Sequence, residues 1–307
     1  MIKVFSKTAV LEHHKELLKE FTESLKGRKL KTQWCTATEY YDDCDVAVIF
    51  GSWKKLSNKE HKEGRAPHHT LKNNIVKQHK SKPLIVFETP LLGRTITQDH
   101  SYYRVGLNHF LNNLADFNNN NSKPDRFNLF GLTIKPWRNK GEHILVLGQN
   151  MSDASLLGGD MELWIVTTVK HLLKVTKRKI IVRDHPENKN RLEDILNVYF
   201  GGNNQVEYDT NENVIDSLKN AHCSVAFTSG SSIDSILEGV PVIPTTQYNF
   251  VWSISSHQLN DIENPKLGNR EQLLYDLAYT QWSVDEIKQG LPWDHLYENI
   301  NCNNLEQ

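Results

Sequence analysis

The segment Ser224-Val-Ala-Phe-Thr-Ser-Gly-Ser-Ser-Ile-Asp-Ser-Ile-Leu-Glu-Gly-Val-Pro-Val-Ile243 joins an apolar run to a cluster of hydroxyls around one glycine. It predicts a strand ending at Thr228-Ser229-Gly230, then a helix of roughly two turns with Ser231 as its N-cap and Gly239 closing it. A helix start presents unpaired N–H groups and partial positive charge, and serine hydroxyls add further donors. Ser229, Gly230, Ser231 and Ser232 therefore suit a phosphate or pyrophosphate. Glu238 stands near the far end of that helix, where a carboxylate is unfavourable to the helix dipole. It needs a further partner, and ribose hydroxyls would supply one.

Two other strand ends carry similar chemistry. In Lys179-Ile-Ile-Val-Arg-Asp-His-Pro186 an apolar strand delivers Arg183 and His185 to its carboxyl end, and Pro186 keeps His185 out of a helical conformation. The planar fork of Arg183 matches a phosphate, and His185 can donate to a phosphate or nucleotide oxygen. In Leu147-Gly-Gln-Asn150, Gly148 permits close backbone approach and Gln149 is placed to reach a phosphate or sugar.

The elements that must position these residues follow an alternating rhythm of short apolar runs and amphipathic stretches. Strands are expected at residues 2–6, 30–35, 46–50 and 84–88, with helices at 10–25 and 102–114. Residues 53–69, rich in Lys, Arg and His, read as an exposed loop, and the asparagine run 118–124 as a loop or the start of a linker. A second series follows: strands at 144–147, 180–183, 206–208, 224–228 and 242–243, helices at 161–175, 191–200 and 214–220, and a last helix at 284–289. The pattern predicts an α/β chain of two Rossmann-like, doubly wound domains facing a cleft at their strand carboxyl ends. Residues 1–139 form the first domain, 140–285 the second, and 286–307 a C-terminal segment that crosses back onto the first.

Composition narrows the class. Among 307 residues there is no long apolar stretch and no signal peptide at the start, and the four cysteines are scattered, so a soluble protein of the reducing cytoplasm is expected. The net charge of −1 hides a division. Through Asn139 there are 23 Lys and Arg against 14 Asp and Glu, and from Lys140 onward 13 against 23. A basic first half attracts acidic or phosphate-rich partners. No Walker or Gly-x-Gly-x-x-Gly sequence is present, which disfavours an NTPase or a dehydrogenase. His13-His14 and His68-His69 point about 100° apart on a helix and make poor joint ligands, Asp42-Asp43-Cys44-Asp45 reads as a turn, and no metal is expected.

Arg183-x-His185-Pro186, followed by Ser229-Gly-Ser-Ser, Glu238, Gly239 and Pro241, resembles the donor half of GT-B glycosyltransferases. The likeness is strongest to bacterial capsule, sialic-acid and Kdo transferases with His-Pro and Ser-Ser motifs. Trp137-Arg138 through Gln149 also resembles uncharacterised glycosyltransferases of tailed phages. The resemblance spans residues 137–244. It implies a nucleotide sugar as donor substrate, of UDP or CMP/CDP type, with no tightly bound cofactor. His185, Ser231 and Ser232 would bind the phosphates or nucleotide, and Glu238 the ribose. The glycine-rich loop that many such enzymes carry after their first strand is missing from Phe5-Ser-Lys-Thr-Ala9. The catalytic base must therefore be argued from chemistry. An inverting transfer needs a carboxylate or histidine to take the acceptor hydroxyl's proton. Beyond the expected strand end at 88, Asp99 is preferred, then His100, with Glu88 third; a retaining route can dispense with a protein base. The acceptor should be acidic and meet the basic first half. A hydroxylated pyrimidine in phage-type DNA is the first reading, an acidic glycan or polysaccharide the second. A nucleotide-sugar 2-epimerase and a non-catalytic nucleotide-sugar binder are the other candidates.

Overall fold

The computed structural model describes residues 1–54, 67–93 and 101–300, and divides the chain into two compact units. The first combines Met1–Phe130 with Tyr275–Gln307, and the second is Gly131–Leu274.

In the first unit, β1 (Ile2–Phe5), β2 (Thr32–Cys35), β3 (Val46–Phe50) and β4 (Leu84–Glu88) are parallel, while β5 (Tyr102–Leu107) runs antiparallel to β4. A late strand, Gln281–Ser283, pairs antiparallel with β5, giving the order (281–283)-β5-β4-β3-β1-β2. Helix Glu12–Gly27 buries Leu17, Leu18, Phe21 and Leu25, one helical face, against Ile2, Val4, Val48, Ile85 and Phe87. At roughly 1.5–3 kcal/mol for each such side chain, burial of that face adds to the helix preference of a segment rich in Leu, Glu and Lys.

The helix expected at 102–114 is absent; its first half is β5. Tyr-Tyr-Arg-Val-Gly-Leu is too short and too evenly apolar for its period to be read. Its aromatic and β-branched residues favour a sheet, and Gly106 disfavours a helix. The strand is buried because neighbours flank it on both sides, and a Cβ on Gly106 would lie 2.4 Å from the ring of Phe117.

The asparagine run is likewise no linker. Asn118 and Asn121 take positive φ, which asparagine tolerates. Asn118 donates to the His295 carbonyl at 2.7 Å, Asn119 to that of Asp276 at 2.9 Å, and the Ser122 N–H to the Asp276 carboxylate at 2.7 Å. The run thus clasps the C-terminal segment. Arg126 strengthens the clasp with a bidentate pair to Glu286 at 2.7 and 3.0 Å and lies 4.3 Å over the Trp282 ring. Trp282, Trp293, Leu296 and Ile300 join the same core as β1 and β3.

The second unit is a five-stranded parallel sheet: β6 (His143–Leu147), β7 (Lys179–Arg183), β8 (Val206–Tyr208), β9 (Ala221–Ala226) and β10 (Val242–Pro244), ordered β10-β9-β6-β7-β8. β6 and β9 are buried along their whole length; past His143, β6 reads as an unbroken apolar run, whereas β9 also buries His222 and Ser224. Helices Met161–Val175 and Arg191–Phe200 carry the chain from β6 to β7 to β8. The connection through Val214–Leu218 then returns it to the other side of β6. The strand order therefore reverses between β6 and β9, the feature that makes a sheet doubly wound. The first unit reverses likewise between β1 and β3.

The units divide at 130/131 and 274/275 rather than at 139/140 and 285/286. Residues 135–138 are tied to the second unit by Lys135 N–H to Leu237 (2.9 Å) and Arg138 N–H to Gly239 (2.7 Å). The Gln281–Ser283 strand belongs to the first unit's sheet. No helix among the described residues is long and apolar enough to cross a membrane.

Candidate functional site

In an open α/β sheet, ligands bind outside the strand carboxyl ends where the order reverses. In the second unit that point lies between β6 and β9, with β7 beside it. Gly148 ends β6; its N–H donates to the Arg183 carbonyl at 2.9 Å, and a Cβ there would stand 2.7 Å from that oxygen. Only glycine lets the two strand ends approach so closely.

Gln149, expected to reach a ligand, is instead 3% exposed and cross-links the reversal point. Its Nε2 donates to Ser155 Oγ (2.9 Å) and Thr228 Oγ1 (3.0 Å), while its Oε1 accepts the Thr228 N–H at 3.1 Å. The amide is fully engaged by protein and forms the floor of the crevice.

Arg183, expected to clamp a phosphate, is turned onto the loop after β8. It donates to Asp209 (2.9 Å), Ser217 Oγ (2.9 Å) and the carbonyls of Asn211 (2.7 Å) and Glu212 (2.8 Å). The Asp209 side chain is 1% exposed. Burial alone would raise its pKa, but hydrogen bonds from Ser217, Arg183 and Asn211 hold it below the usual carboxylate range. Arg183 is thus a structural residue, keeping a buried charge paired.

Asp184 and Asn188, which the sequence reading did not single out, fix the next turn. One Asp184 oxygen accepts the His185 N–H (2.7 Å) and Asn188 Nδ2 (2.7 Å); the other accepts the Leu192 N–H (3.0 Å), serving a helix whose N-cap, Asn190, makes no side-chain cap. Asn188 also joins the two loops, donating to the Gln149 carbonyl at 3.0 Å and accepting the Met151 N–H at 3.0 Å. An acidic residue directly before His-Pro, with asparagine four residues on, was the available signal. The outcome is a rigid seat for His185. Its Nδ1 accepts the Glu187 N–H at 3.2 Å, so the neutral ring carries its proton on Nε2. That nitrogen has no hydrogen-bond partner among the described residues.

After β9 the backbone turns into helix Ser231–Leu237. Gly230, not Ser231, is its N-cap, in αR conformation and without a side-chain cap. Ser232 is 1% exposed and accepts from Asn249 Nδ2 at 2.9 Å, so it belongs to the interior. Ser229 and Ser231 are half-buried, and their hydroxyls make no hydrogen bond with the described residues. Glu238 is paired with Lys135 at 2.6 Å, which supplies the partner its place at the helix end required. Beside the Ser155–Thr228 contact lies an apolar hollow of about 270 Å³ lined by Leu156, Met161, Leu163, Trp164, Thr167 and Phe227.

The reversal edge of the second unit therefore brings together His185, Ser229, Gly230 and Ser231 as available groups, over a floor of Gln149 and Thr228. It turns Arg183 and Ser232 inward.

In the first unit, Asp99 and His100 lie outside the described residues. Glu88, at the end of β4, accepts the Ser52 N–H at 2.7 Å and the Thr89 N–H at 2.9 Å. Lys72 donates to the Ser52 carbonyl at 3.1 Å. Among the described residues no cluster of three or more His, Cys, Asp or Glu has the geometry to hold a metal. His14 stacks on Phe50 at 3.8 Å, and Asp42 pairs with Lys3 at 2.6 Å.

No family model matches the sequence, and no curated protein does. Among solved structures, the chain is similar to KpsC of Thermosulfurimonas dismutans, described as a β-Kdo 2,7 transferase. The match has 15% identity over 95% of this chain and 98% of that one, with a TM-score of 0.53. The β-Kdo 2,4 transferase of the same KpsC aligns at 13% identity over 90% and 89%, with a TM-score of 0.52. A UDP-GlcNAc 2-epimerase of Methanocaldococcus jannaschii aligns at 13% identity with a TM-score of 0.32, too loose to carry an argument. The chain thus has the fold of these transferases: two Rossmann-like α/β units of the GT-B type.

Proposed function

We propose that this protein is a glycosyltransferase that moves a sugar from a nucleotide donor, held at the carboxyl edge of the second unit, to a hydroxyl of an acidic glycan or polysaccharide. One observation carries the reading: at the point of strand reversal the protein builds a rigid floor yet leaves the His185 Nε2–H and the Ser229 and Ser231 hydroxyls available as donors. Three donors around a crevice suit a phosphate or diphosphate. The aromatic wall of Trp164 and Phe227 offers a planar ring an apolar face. The carboxylate of Glu238, neutralised by Lys135, keeps lone pairs for ribose hydroxyls. The fold shared with two Kdo transferases supports a glycan acceptor.

In the inverting form of the reaction the acceptor oxygen attacks the anomeric carbon, and the bond to the donor phosphate breaks. The electron pair leaves on phosphate, where His185 and the serines stabilise it, and the acceptor proton passes to a base. Asp99 is the first assignment for that base, then His100, then Glu88.

The basic first half keeps a second acceptor in view, a hydroxylated pyrimidine in phage-type DNA. Mass spectrometry after incubation with UDP- and CMP-sugars and either an acidic oligosaccharide or hydroxymethylated DNA tests both. A product on the oligosaccharide supports the reading, a salt-sensitive product on DNA moves it to the second acceptor, and donor turnover without acceptor replaces transfer with epimerisation.

A further inference from the structure

Lys72 stands on the buried face of helix Pro67–His79 with Leu71 and Ile75, and only 4% of it is exposed. An ammonium has three donors. Among the described residues the Ser52 carbonyl is its single acceptor, at 3.1 Å. Glu88 lies close enough to attract it, but its carboxylate is held by the N–H groups of Ser52 and Thr89, and no direct ion pair joins it to Lys72. Gly51, at φ +84°, makes room: a Cβ there would lie 2.8 Å from the ammonium nitrogen.

A cation desolvated in this way, with donors unfilled, costs several kcal/mol unless it neutralises or meets an anion. Its position is not that of a packing residue. It sits where β3 and β4 end, on the carboxyl edge where sheets of this kind take ligands. We propose that Lys72 is an anion-binding residue of the first unit, taking a carboxylate or phosphate group of the acceptor. The word acceptor rests on the transferase reading; the anion site itself does not.

Burial lowers the Lys72 pKa to about 8 against the opposing attraction of Glu88. Among the described residues, the other titratable groups around it are His68 on the same helix, itself held low by burial and then by Lys72 and Lys54, and Lys54 on the loop after β3. A bound anion must raise the Lys72 pKa, since the ammonium is the form that binds.

The test is a pH titration of the full-length protein, with its lysine ε-carbons isotopically labelled, followed by NMR in chloride, in inorganic phosphate and in acetate. The Lys72 signal is identified by its loss in Lys72→Met, with Lys72→Arg as a second variant should the first not fold. The expected result is a resonance titrating near pH 8 that moves up by about half a unit or more in phosphate or in acetate, whichever names the ligand group. The same titration in all three salts overturns the proposal. Stabilisation by nucleotide, measured in parallel, is a property of the second unit, so failure of the anion site and failure of the transferase reading are separately visible.

Discussion

The two residues of Arg183-x-His185 differ in their partners: Arg183, the last residue of β7, pairs with buried Asp209, whereas His185, two residues on, keeps its Nε2 without a partner among the described residues. Arg183→Met should strand the buried Asp209 carboxylate and lower the stability of the second unit by about 3 kcal/mol in denaturant melts, as removing one partner of a buried pair does. His185→Ala should leave stability within about 0.5 kcal/mol yet weaken nucleotide binding about tenfold or more in calorimetry, the contribution of one hydrogen bond to a charged oxygen. The acid response draws on several buried histidines, His79, His143 and His295 among them, and on His109 most of all. Burial, with Arg104 second, lowers the His109 pKa to about 4. Its folded pKa lies below the unfolded value near 6.5, so stability is full above that value and declines as pH falls toward 4. His109→Phe should make that part of a stability–pH curve shallower without abolishing it; an unchanged slope would assign it wholly to the other histidines. At this scale the sequence showed which residues stand at strand ends. It could not show that Arg183 and Gln149 turn to protein partners, because Asp209 and Thr228 are brought to them by the sheet from 26 and 79 positions away.

Among the elements, those whose period is local were legible. Helices 161–175 and 191–200 stand where their amphipathic pattern put them, and the central strand β6 of the second unit reads as a buried apolar run. β5 was not legible, since its strand character comes from pairing with β4 and with Gln281–Ser283, contacts invisible to any local window. Glycines give a sharp element-scale test. Gly239 and Gly202 both hold positive φ, so an alanine at either incurs roughly 1 kcal/mol of left-handed strain. Only at Gly239 would the new Cβ also meet backbone, 2.1 Å from the Pro136 carbonyl oxygen, whereas Gly202 has nothing within 4 Å. Thermal melts should therefore show Gly239→Ala clearly more destabilising than Gly202→Ala, and equal losses would mean the 135–138 segment yields freely.

For the whole molecule, the charge division and the double series of βα units announced two units, while the return of the chain end into the first unit's sheet rests on Arg126, Trp282 and the asparagine clasp. Removing the residues after Thr280 should take an edge strand and five core side chains, Trp282, Ile287, Trp293, Leu296 and Ile300, from the first unit and abolish its cooperative unfolding. The second unit, with every strand of its sheet and its core drawn from within 131–274, should unfold cooperatively as an isolated fragment. The central claim is that the carboxyl edge of this unit holds a nucleotide donor. Thermal stabilisation of the full-length protein across nucleoside mono- and diphosphates and nucleotide sugars tests it most directly, with His185→Ala and Glu238→Ala beside it. The account predicts a shift for one base, larger for its sugar conjugate and reduced in both variants. No shift with any nucleotide, or a shift that both variants retain in full, would contradict it.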